Sequence, residues 1–397
     1  MRTYTDLFAA REFRNLFLAN CAGIAAHTTS ALALGALTYA STGSALITAL
    51  SMFGAPLAGV LGSLTLLSAA DSLPPRRALT LAAVLVAAGA AVQAVPGVPL
   101  WTRFAIIFVS GYVGSITGGA RWALLTDILP ANTYVLARAT MNTSVGVMQI
   151  AGFGLAGALL VWLSPEQVFL LAAVLRAVAA AVGWFGLAER PVRATERTTI
   201  ARTLRVNREL WADRGRRSLF LNLWVPGGLI VGCEALFIPY AGDRAGFLFA
   251  AAALGMLIGD VVVGRFLSAA RRERWVPALR LLLAVPYLVF LLSPPLPLAI
   301  VVALVASIGF AGGLPLQERL IARSPSEARG QVLGLHQNGM LAGQALCAVL
   351  AGAIADLVPT YQAVALLAGA SLAATVALTS GLRRTAPAPV AATKRDG

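Results

Sequence analysis

The segment AERPVRATERTTIARTLRVNRELWADRGRR, residues 188–217, is the only long polar stretch of this chain. It holds nine arginines against four acids, and the residues on either side of it, 1–187 and 218–397, are mostly apolar. An arginine-rich stretch between two long apolar regions is typical of a cytoplasmic loop in a membrane protein. We therefore predict a basic connector between two membrane-embedded halves.

Ile200, Leu204 and Trp211 within this segment fall on one face of a short predicted helix. Such a face, flanked by arginines, is typical of a helix that lies on anionic lipid headgroups. A solvated linker that its charge keeps in the cytoplasm is the simpler alternative. Both interpretations leave the connector outside the hydrocarbon.

The composition of the whole chain is that of a polytopic membrane protein. Hydrophobic residues make up 58% of the 397 residues and charged residues only 12%, whereas soluble domains contain about 45–50% and about 25%. The net charge of +14 would suggest nucleic acid in a soluble chain, but here the charge follows membrane topology. Cys21, Cys233 and Cys347 lie in apolar segments without a metal-binding spacing. We expect no disulfide, metal, cofactor or nucleic-acid partner.

Twelve apolar segments are long enough to cross about 30 Å of hydrocarbon at about 1.5 Å per residue. They predict an all-α membrane protein, and we number them spans 1 to 12. The predicted spans are 16–39, 45–68, 78–95, 103–125, 139–163 and 167–187, then 219–240, 245–268, 276–293, 297–317, 330–354 and 361–382. The predicted domains are an N-terminal half (1–187), the connector (188–217), a C-terminal half (218–382) and a tail (383–397).

Arginines in the predicted loops indicate the orientation, because basic residues accumulate in short cytoplasmic loops. If the N-terminus is cytoplasmic, only Arg103 and Arg244 among the loop arginines fall on the outer side. Both termini and the connector are therefore predicted to be cytoplasmic. Lys394 is the only lysine among 31 basic residues, a bias that suggests a GC-rich bacterial genome. We accordingly predict a multi-pass protein of a bacterial cytoplasmic membrane.

The two halves repeat a pattern of small residues, proline and arginine. Arg138 precedes Gly152 by fourteen residues, and Arg329 precedes Gly343 by the same interval. In both halves a glycine pair and a proline come before the arginine. A parallel repeat of six spans is typical of secondary transporters whose site lies between the halves. Chance similarity among glycine-rich helices is the alternative.

Three stretches resemble the major facilitator superfamily. AADSLPPRRAL at 69–79 is similar to the family's loop between helices 2 and 3. TGSA at 42–45 with Pro56, and GGARWALLTDILP at 118–130, resemble the branch that contains drug and siderophore exporters. The resemblance implies the major facilitator fold of two six-helix pseudo-repeats. It also implies alternating access to a cavity that helices 1, 4, 7 and 10 line.

Asp71, Arg76 and Arg77 in the first of these stretches are candidate gating residues. The resemblance implies that the acid at position 71 helps to hold the outward-facing state. An acid just past a helix C-terminus is poorly placed for that helix's dipole, so we expect an adjacent basic partner. The alternative is a group of solvated charges that only sets topology, since exposed ion pairs contribute little.

His27 in span 1 and Glu234 in span 7 are the candidates for proton coupling. Ionisable groups at membrane depth are costly, which makes them functional candidates. Desolvation favours the neutral form of a buried carboxyl group, so Glu234 is suited to proton exchange. The resemblance implies that both residues face one cavity from opposite halves, close to a break in span 7 at Pro226–Gly228. A solvated acid and a structural histidine are the alternatives.

Other polar residues within the spans divide into two groups. Arg176 in span 6 and Asp260 in span 8 lie near the centres of their spans, and we predict that they form structural charge pairs. The remaining polar and aromatic residues in apolar walls are candidates for lining a cavity that suits an amphipathic compound. They are Asn20, Arg121, Gln149, Asn222, Trp224 and His336.

These observations predict a secondary transporter that exports small hydrophobic or amphipathic compounds, such as drugs or secondary metabolites, in exchange for protons. The chain has no GxxxxGK[ST] motif, which excludes ATP hydrolysis at a P-loop. Proton-symport uptake of a nutrient is the alternative. An enzyme is disfavoured because the short loops lack a catalytic cluster, and a sensor because of the buried titratable residues. The expected partners are a substrate, protons and lipid, and the expected state is a monomer.

Overall fold

The computed structural model describes residues 4–65, 73–191, 200–325 and 329–383, and all regular structure in these ranges is helical. A short helix, Tyr4–Ala9, precedes the N-terminal half. Spans 1 to 6 are Arg11–Thr42, Ala45–Thr65, Pro75–Gln93, Leu100–Ile128, Ala131–Leu159 and Pro165–Gly186. Spans 7 and 8 are Arg214–Ala235 and Ala245–Val261, the latter extended by a π-turn at Val262–Phe266, and spans 9 to 12 are Ala269–Leu292, Leu296–Ala322, Arg329–Ala355 and Thr360–Arg383. The predicted all-α fold class is confirmed.

Ten segments of the described ranges are long and apolar enough to cross a membrane. One of them, Arg214–Phe266, contains both span 7 and span 8, which residues 236–244 separate. Ala131–Leu159 is too polar to be one of the ten, but its 29 residues give it a length of about 43 Å. It packs along spans 1 and 8 as a fifth span. Polar residues and glycines along its length, Asn142 and Gln149 among them, lower its hydropathy without breaking the helix.

The predicted boundaries agree with the structure to within about five residues except at the starts of spans 5 and 9. These were predicted at residues 139 and 276, whereas the helices begin at Ala131 and Ala269. Pro130 and Ser268 occupy the N-cap positions. Both helices therefore begin in polar sequence, which a count of apolar residues cannot distinguish from a loop.

Span 7 is continuous through Pro226, so the predicted break at Pro226–Gly228 is wrong. Ser371 Oγ donates a hydrogen bond to the Pro226 carbonyl at 3.0 Å. The glycines after the proline serve close packing, because a Cβ on Gly228 would lie 3.2 Å from the carbonyl oxygen of Gly343 in span 11. The helix instead ends after Ala235, and the short helix Phe237–Ala241 follows it.

The two halves contact each other on the side opposite the connector, which we call the far side. Spans 5 and 8 run antiparallel, and a Cβ on Gly157 would lie 2.6 Å from the Gly246 Cα. Spans 2 and 11 are equally close, because a Cβ on Gly352 would lie 2.6 Å from the Leu46 Cα. Small residues allow this backbone approach. The far side is therefore closed by direct packing of the two halves.

Asp356, just after span 11, adds a polar contact to this closure. Its carboxylate accepts hydrogen bonds from the Ser44 hydroxyl and from the Ala45 backbone amide, both at 2.7 Å. The amide is one of the unpaired donors at the start of span 2. One half thus caps a helix of the other half.

The predicted helix of the connector is present at Ile200–Ala212. Trp211 stacks on Trp224 of span 7 with ring centroids 5.5 Å apart, and Leu210 is buried among apolar residues of the C-terminal half. Asn207 accepts a hydrogen bond from Gln331 of span 11 at 3.3 Å. The face that carries Trp211 therefore packs on the C-terminal half, while Leu204 remains exposed.

Candidate functional site

A cavity of about 540 Å³ lies within the N-terminal half. Its lining runs from Leu16 and Leu187, at the connector ends of spans 1 and 6, to Thr28 near the middle of span 1. Leu341 of span 11 is the one lining residue from the C-terminal half. Polar and ionisable lining residues are Asn20, His27, Thr28, Thr80, Ser110, Thr117, Arg121, Gln149 and Arg176. Five of the predicted site residues, Asn20, His27, Arg121, Gln149 and Arg176, thus line one cavity.

The cavity exists because small residues face the interior of this half. Gly23, Gly111, Gly114 and Gly183 line it, and no atom among the described residues lies within 4 Å of a Cβ built on Gly114. The interior of the C-terminal half contains large rings instead, and Phe237, Tyr287 and Phe290 there are fully buried. The resemblance implied a cavity between the halves, whereas the cavity found here belongs almost entirely to one of them.

Arg121 is held at one end of the polar wall by Asn20. Its Nη1 donates to Asn20 Oδ1 at 2.5 Å, and Asn20 Nδ2 donates to Ser144 Oγ of span 5 at 3.3 Å. These bonds connect span 4 to span 1 and span 1 to span 5. Asn20 therefore orients a guanidinium group of span 4 toward the cavity.

Arg176, predicted to be a structural charge, lines the same cavity as His27. Its Nη1 lies 3.3 Å from the position of a Cβ on Gly23, so the missing side chain at Gly23 leaves room for the guanidinium. His27 and Arg176 also line a smaller cavity of about 70 Å³ next to the main one. No ion pair among the described residues includes Arg176. The predicted charge pair is therefore not seen.

Asp260, the other predicted structural charge, is exposed on span 8. It has no ion pair within the described ranges. Neither it nor any other Asp or Glu of the described residues lines the cavity. The lining thus combines two guanidinium groups and a histidine with no carboxylate.

Three residues predicted to line the cavity pack elsewhere. Asn222 Nδ2 donates to the Leu378 carbonyl of span 12 at 3.2 Å. Trp224 Nε1 lies 3.2 Å from Nδ1 and 3.1 Å from the carbonyl oxygen of His336, and its ring packs against Gly339. These side chains join spans 7, 11 and 12 to each other and to the connector helix. None of the three lines the cavity in this structure.

Glu234 is buried in the C-terminal half, with 7% of its surface exposed, and does not line the cavity. Ser307 Oγ of span 10 donates to its Oε1 at a long 3.4 Å. Its neighbour Ala235 packs with Ala49 of span 2 and Ala348 of span 11 in the far-side closure. Glu234 and His27 therefore do not face one space, and Glu234 lies directly behind the contact between the halves.

Of the gating candidates, Asp71 lies outside the described residues. Arg77 forms an ion pair with Glu189, with Nε and Oε1 2.6 Å apart. The Arg76 guanidinium lies 4.5 Å from the ring centroid of Trp184 in span 6. Arg76 thus contacts the end of span 6, and Arg77 contacts the start of the connector. The latch between Asp71 and these arginines stays a prediction.

The fold and one part of the sequence match known transporters. A sequence profile of the Major Facilitator Superfamily matches residues 240–397. A POT family transporter solved with 5-aminolevulinic acid is similar with a TM-score of 0.77 and 12% identity, covering 95% of this chain and 97% of that chain. The nucleoside transporter NupG has a TM-score of 0.71 and 14% identity, covering 93% and 99%. A bacterial homologue of the human lysosomal transporter Spinster, in an inward-facing and occupied conformation, has a TM-score of 0.72 and 15% identity, covering 95% and 98%.

No match was found among curated protein sequences. The solved structures agree with this chain in fold over nearly its whole length, so the chain has the major facilitator fold. This fold defines the class of protein as a multi-pass helical membrane protein. The branch that exports drugs or siderophores is not identified by these matches.

Proposed function

We propose that this chain is a secondary transporter that moves a small amphipathic organic compound across a bacterial cytoplasmic membrane by alternating access, coupled to protons. The observation that supports this is the cavity of about 540 Å³ that reaches the connector side while the far side is closed. Ligand sites of about 300–1,000 Å³ with mostly apolar walls and a few polar groups are typical for such compounds. The connector side is taken as cytoplasmic from its arginines, so this conformation is inward-facing.

Export by proton antiport is the direction that the sequence favours, and Glu234 is its coupling residue. The position of Glu234 behind the far-side closure supports a role in opening that side. A neutral carboxylic acid is tolerated there, whereas burying a carboxylate that accepts only one long hydrogen bond has a high desolvation cost. Deprotonation therefore favours hydration and separation of the halves, and protonation favours closure.

Proton-symport uptake is a second candidate, which the position of His27 favours. His27 faces the cavity beside Arg176, and no carboxylate lines that cavity within the described ranges. A proton on His27 would repel a cationic substrate, which corresponds to antiport, but would attract an anionic one, which corresponds to symport. The similar solved structures include a peptide transporter and a nucleoside transporter, so a nutrient substrate is consistent with the fold.

The experiment uses everted membrane vesicles with an inward-acid proton gradient and a panel of amphipathic acids, amides and amines. Proton movement and substrate movement are recorded for the wild type, Glu234→Gln and His27→Gln. Asp243→Asn, which changes an exposed acid in the loop after span 7, is the matched control. Each variant removes a titrating group while keeping a side chain of similar size.

Proton release on adding a compound, lost in Glu234→Gln and kept in Asp243→Asn, would support antiport through Glu234. Loss of coupling only in His27→Gln, with substrate and protons moving in the same direction, would support symport. Coupling that neither variant changes would remove both residues from the mechanism. Absence of flux for every compound, from protein that is correctly inserted, would count against the transport function.

A further inference from the structure

We infer that the compound bound in this cavity is an organic anion, with one acidic group and an apolar body. The inference rests on the proposed transport function and assigns its substrate class. It depends on the arrangement of Arg121 and Arg176 around span 1. The sequence did not predict that these two guanidinium groups would line one cavity and bind one acid together.

The two guanidinium groups lie against successive turns of one face of span 1. Arg121 contacts Asn20, and Arg176 lies next to Gly23. Residues three apart on a helix share a face and differ by about 4.5 Å along the axis. His27, one further turn along, lines the same cavity. Two cations and one titratable imidazole thus form a continuous polar strip along the cavity wall.

The charge of this strip is not neutralised by the protein in the described ranges. Arg121 has Asn20 as its hydrogen-bond acceptor, and its buried Nε has no partner. No hydrogen bond or ion pair to another described residue holds the Arg176 guanidinium, which lies at the middle of span 6. An arginine at membrane depth is costly to insert. A bound anion would supply the missing counter-charge.

The geometry of the two guanidinium groups favours binding of an oxyanion over binding of a neutral polar group such as an amide. A guanidinium presents parallel N–H donors that match a carboxylate, sulfonate or phosphate ester in a bidentate manner. Ile24, Pro56, Ala83 and Val86 form apolar wall next to the strip, which suits an aryl or alkyl body. A cationic amphiphile would meet two like charges with no acid to offset them.

The first test is binding of matched probes to the purified full-length protein in detergent. A series of aryl and alkyl carboxylates is compared with the primary amide and the amine of the same skeleton, by calorimetry at low ionic strength. We expect carboxylates to bind at least about tenfold more tightly than their amides, because charge-assisted hydrogen bonds are the stronger ones. Arg176→Gln and Arg121→Gln should each remove most of that preference, and Arg176→Lys should retain part of it. Arg265→Gln, an exposed arginine of span 8, is the control.

A second measurement gives an answer even if no probe fits the cavity. Thr117 lies one turn from Arg121 on span 4 and lines the cavity. Thr117→Cys, in a background whose native cysteines are replaced, is labelled with anionic sulfonatoethyl and cationic trimethylammonioethyl methanethiosulfonates. The ratio of the two rates reports the potential at that position. We expect it to favour the anionic reagent at least about tenfold over a cysteine at exposed Arg265, and to fall in Arg121→Gln and Arg176→Gln.

Equal binding of acids and amides, or tighter binding of amines, would overturn the anion assignment while leaving transport itself intact. If no probe binds, a rate ratio equal to that of the exposed cysteine would overturn it, and a raised ratio that both arginine variants lower would support it. Selective binding of acids without any flux would support the assignment and contradict the proposed transport.

Discussion

The N-terminal and C-terminal halves contain six spans each, yet their interiors differ in filling and in charge. Glycines around Gly114 open a cavity in the first half, whereas Phe237, Tyr287 and Phe290 fill the second. The first half exposes Arg121 and Arg176 to its cavity, and the second buries Glu234 behind the contact between the halves. A repeated backbone plan therefore does not require a repeated site. Here the N-terminal half carries the candidate binding groups and His27, and the C-terminal half carries Glu234.

The far-side contact, which both halves share, offers the largest expected effect. A Cβ on Gly246 would lie 2.4 Å from the Gly157 Cα, so Gly246→Leu should hold the halves apart. We expect transport to fall by more than about tenfold, because overpacking of this size costs about 1–3 kcal/mol or more. Flux in proteoliposomes and labelling of Ala49→Cys by an impermeant thiol reagent measure it. Gly369→Leu is the control, since its Cβ position has open space around it. Unlabelled Cys at position 49 with normal flux would contradict the closure described here.

Trp224 tests whether the polar and aromatic residues of the second half are structural. Its ring stacks on Trp211, lies against Phe220 and packs on Gly339. Trp224→Ala should lower the free energy of unfolding by about 3–5 kcal/mol and release the connector helix. Thermal unfolding and limited proteolysis of the connector measure these effects. Substrate affinity should change by less than about twofold, and a larger loss of affinity at unchanged stability would return Trp224 to the binding site.

Asn20 and Asn222 form a matched pair across the halves. Asn20 holds Arg121 at the cavity, while Asn222 joins spans 7 and 12. Asn20→Ala should weaken substrate binding by about tenfold or more, because a hydrogen bond to a charged group contributes about 1.5–3 kcal/mol. Asn222→Ala should lower stability by about 1 kcal/mol with affinity unchanged. Binding isotherms measure the affinity of both variants, and melting curves measure their stability. Equal losses of affinity in the two variants would contradict the different roles of Asn20 and Asn222.

Asp356 gives the smallest expected effect. Its carboxylate caps span 2 from the other half, and loss of such a cap costs about 1 kcal/mol. Asp356→Ala should therefore shift the balance between far-side closed and open conformations about fivefold toward open. Asp356→Asn, which retains a capping oxygen, should shift it less. The labelling rate of Ala49→Cys measures the shift. Rates in both Asp356 variants that equal the rate with native Asp356 would exclude a role for the cap in closure.

Most positions of the spans could be predicted from the sequence because long apolar segments mark them. The length of an apolar run fixes where a helix crosses the bilayer. Each half has twelve helix ends, and eleven of them lie within about five residues of the predicted positions. The starts of spans 5 and 9 could not be predicted, because helices continue into polar sequence outside the hydrocarbon. The interruption of span 7 was predicted at Pro226–Gly228, whereas the helix continues to Ala235 with Pro226 inside it.

The faces of the helices could not be predicted in the same way. A helix that is apolar all round gives no periodic signal for the side that faces a cavity. Asn20 and Gln149 line the cavity, whereas Asn222 and Trp224 turn toward spans 12 and 11. Arg176 was predicted as structural because nothing in its own span marks Gly23 as its neighbour. Only packing between spans determines which polar groups meet.

The attachment of the connector helix to spans 7 and 11 makes it a reporter of movement. Asn207 and Trp211 bind it to the C-terminal half, so it should travel with that half as one body. Arg208 is exposed on this helix, and Arg138 is exposed near the start of span 5 in the other half. A pair of spin labels at these two positions would record the opening of the connector side as a change in distance, without a probe near the cavity.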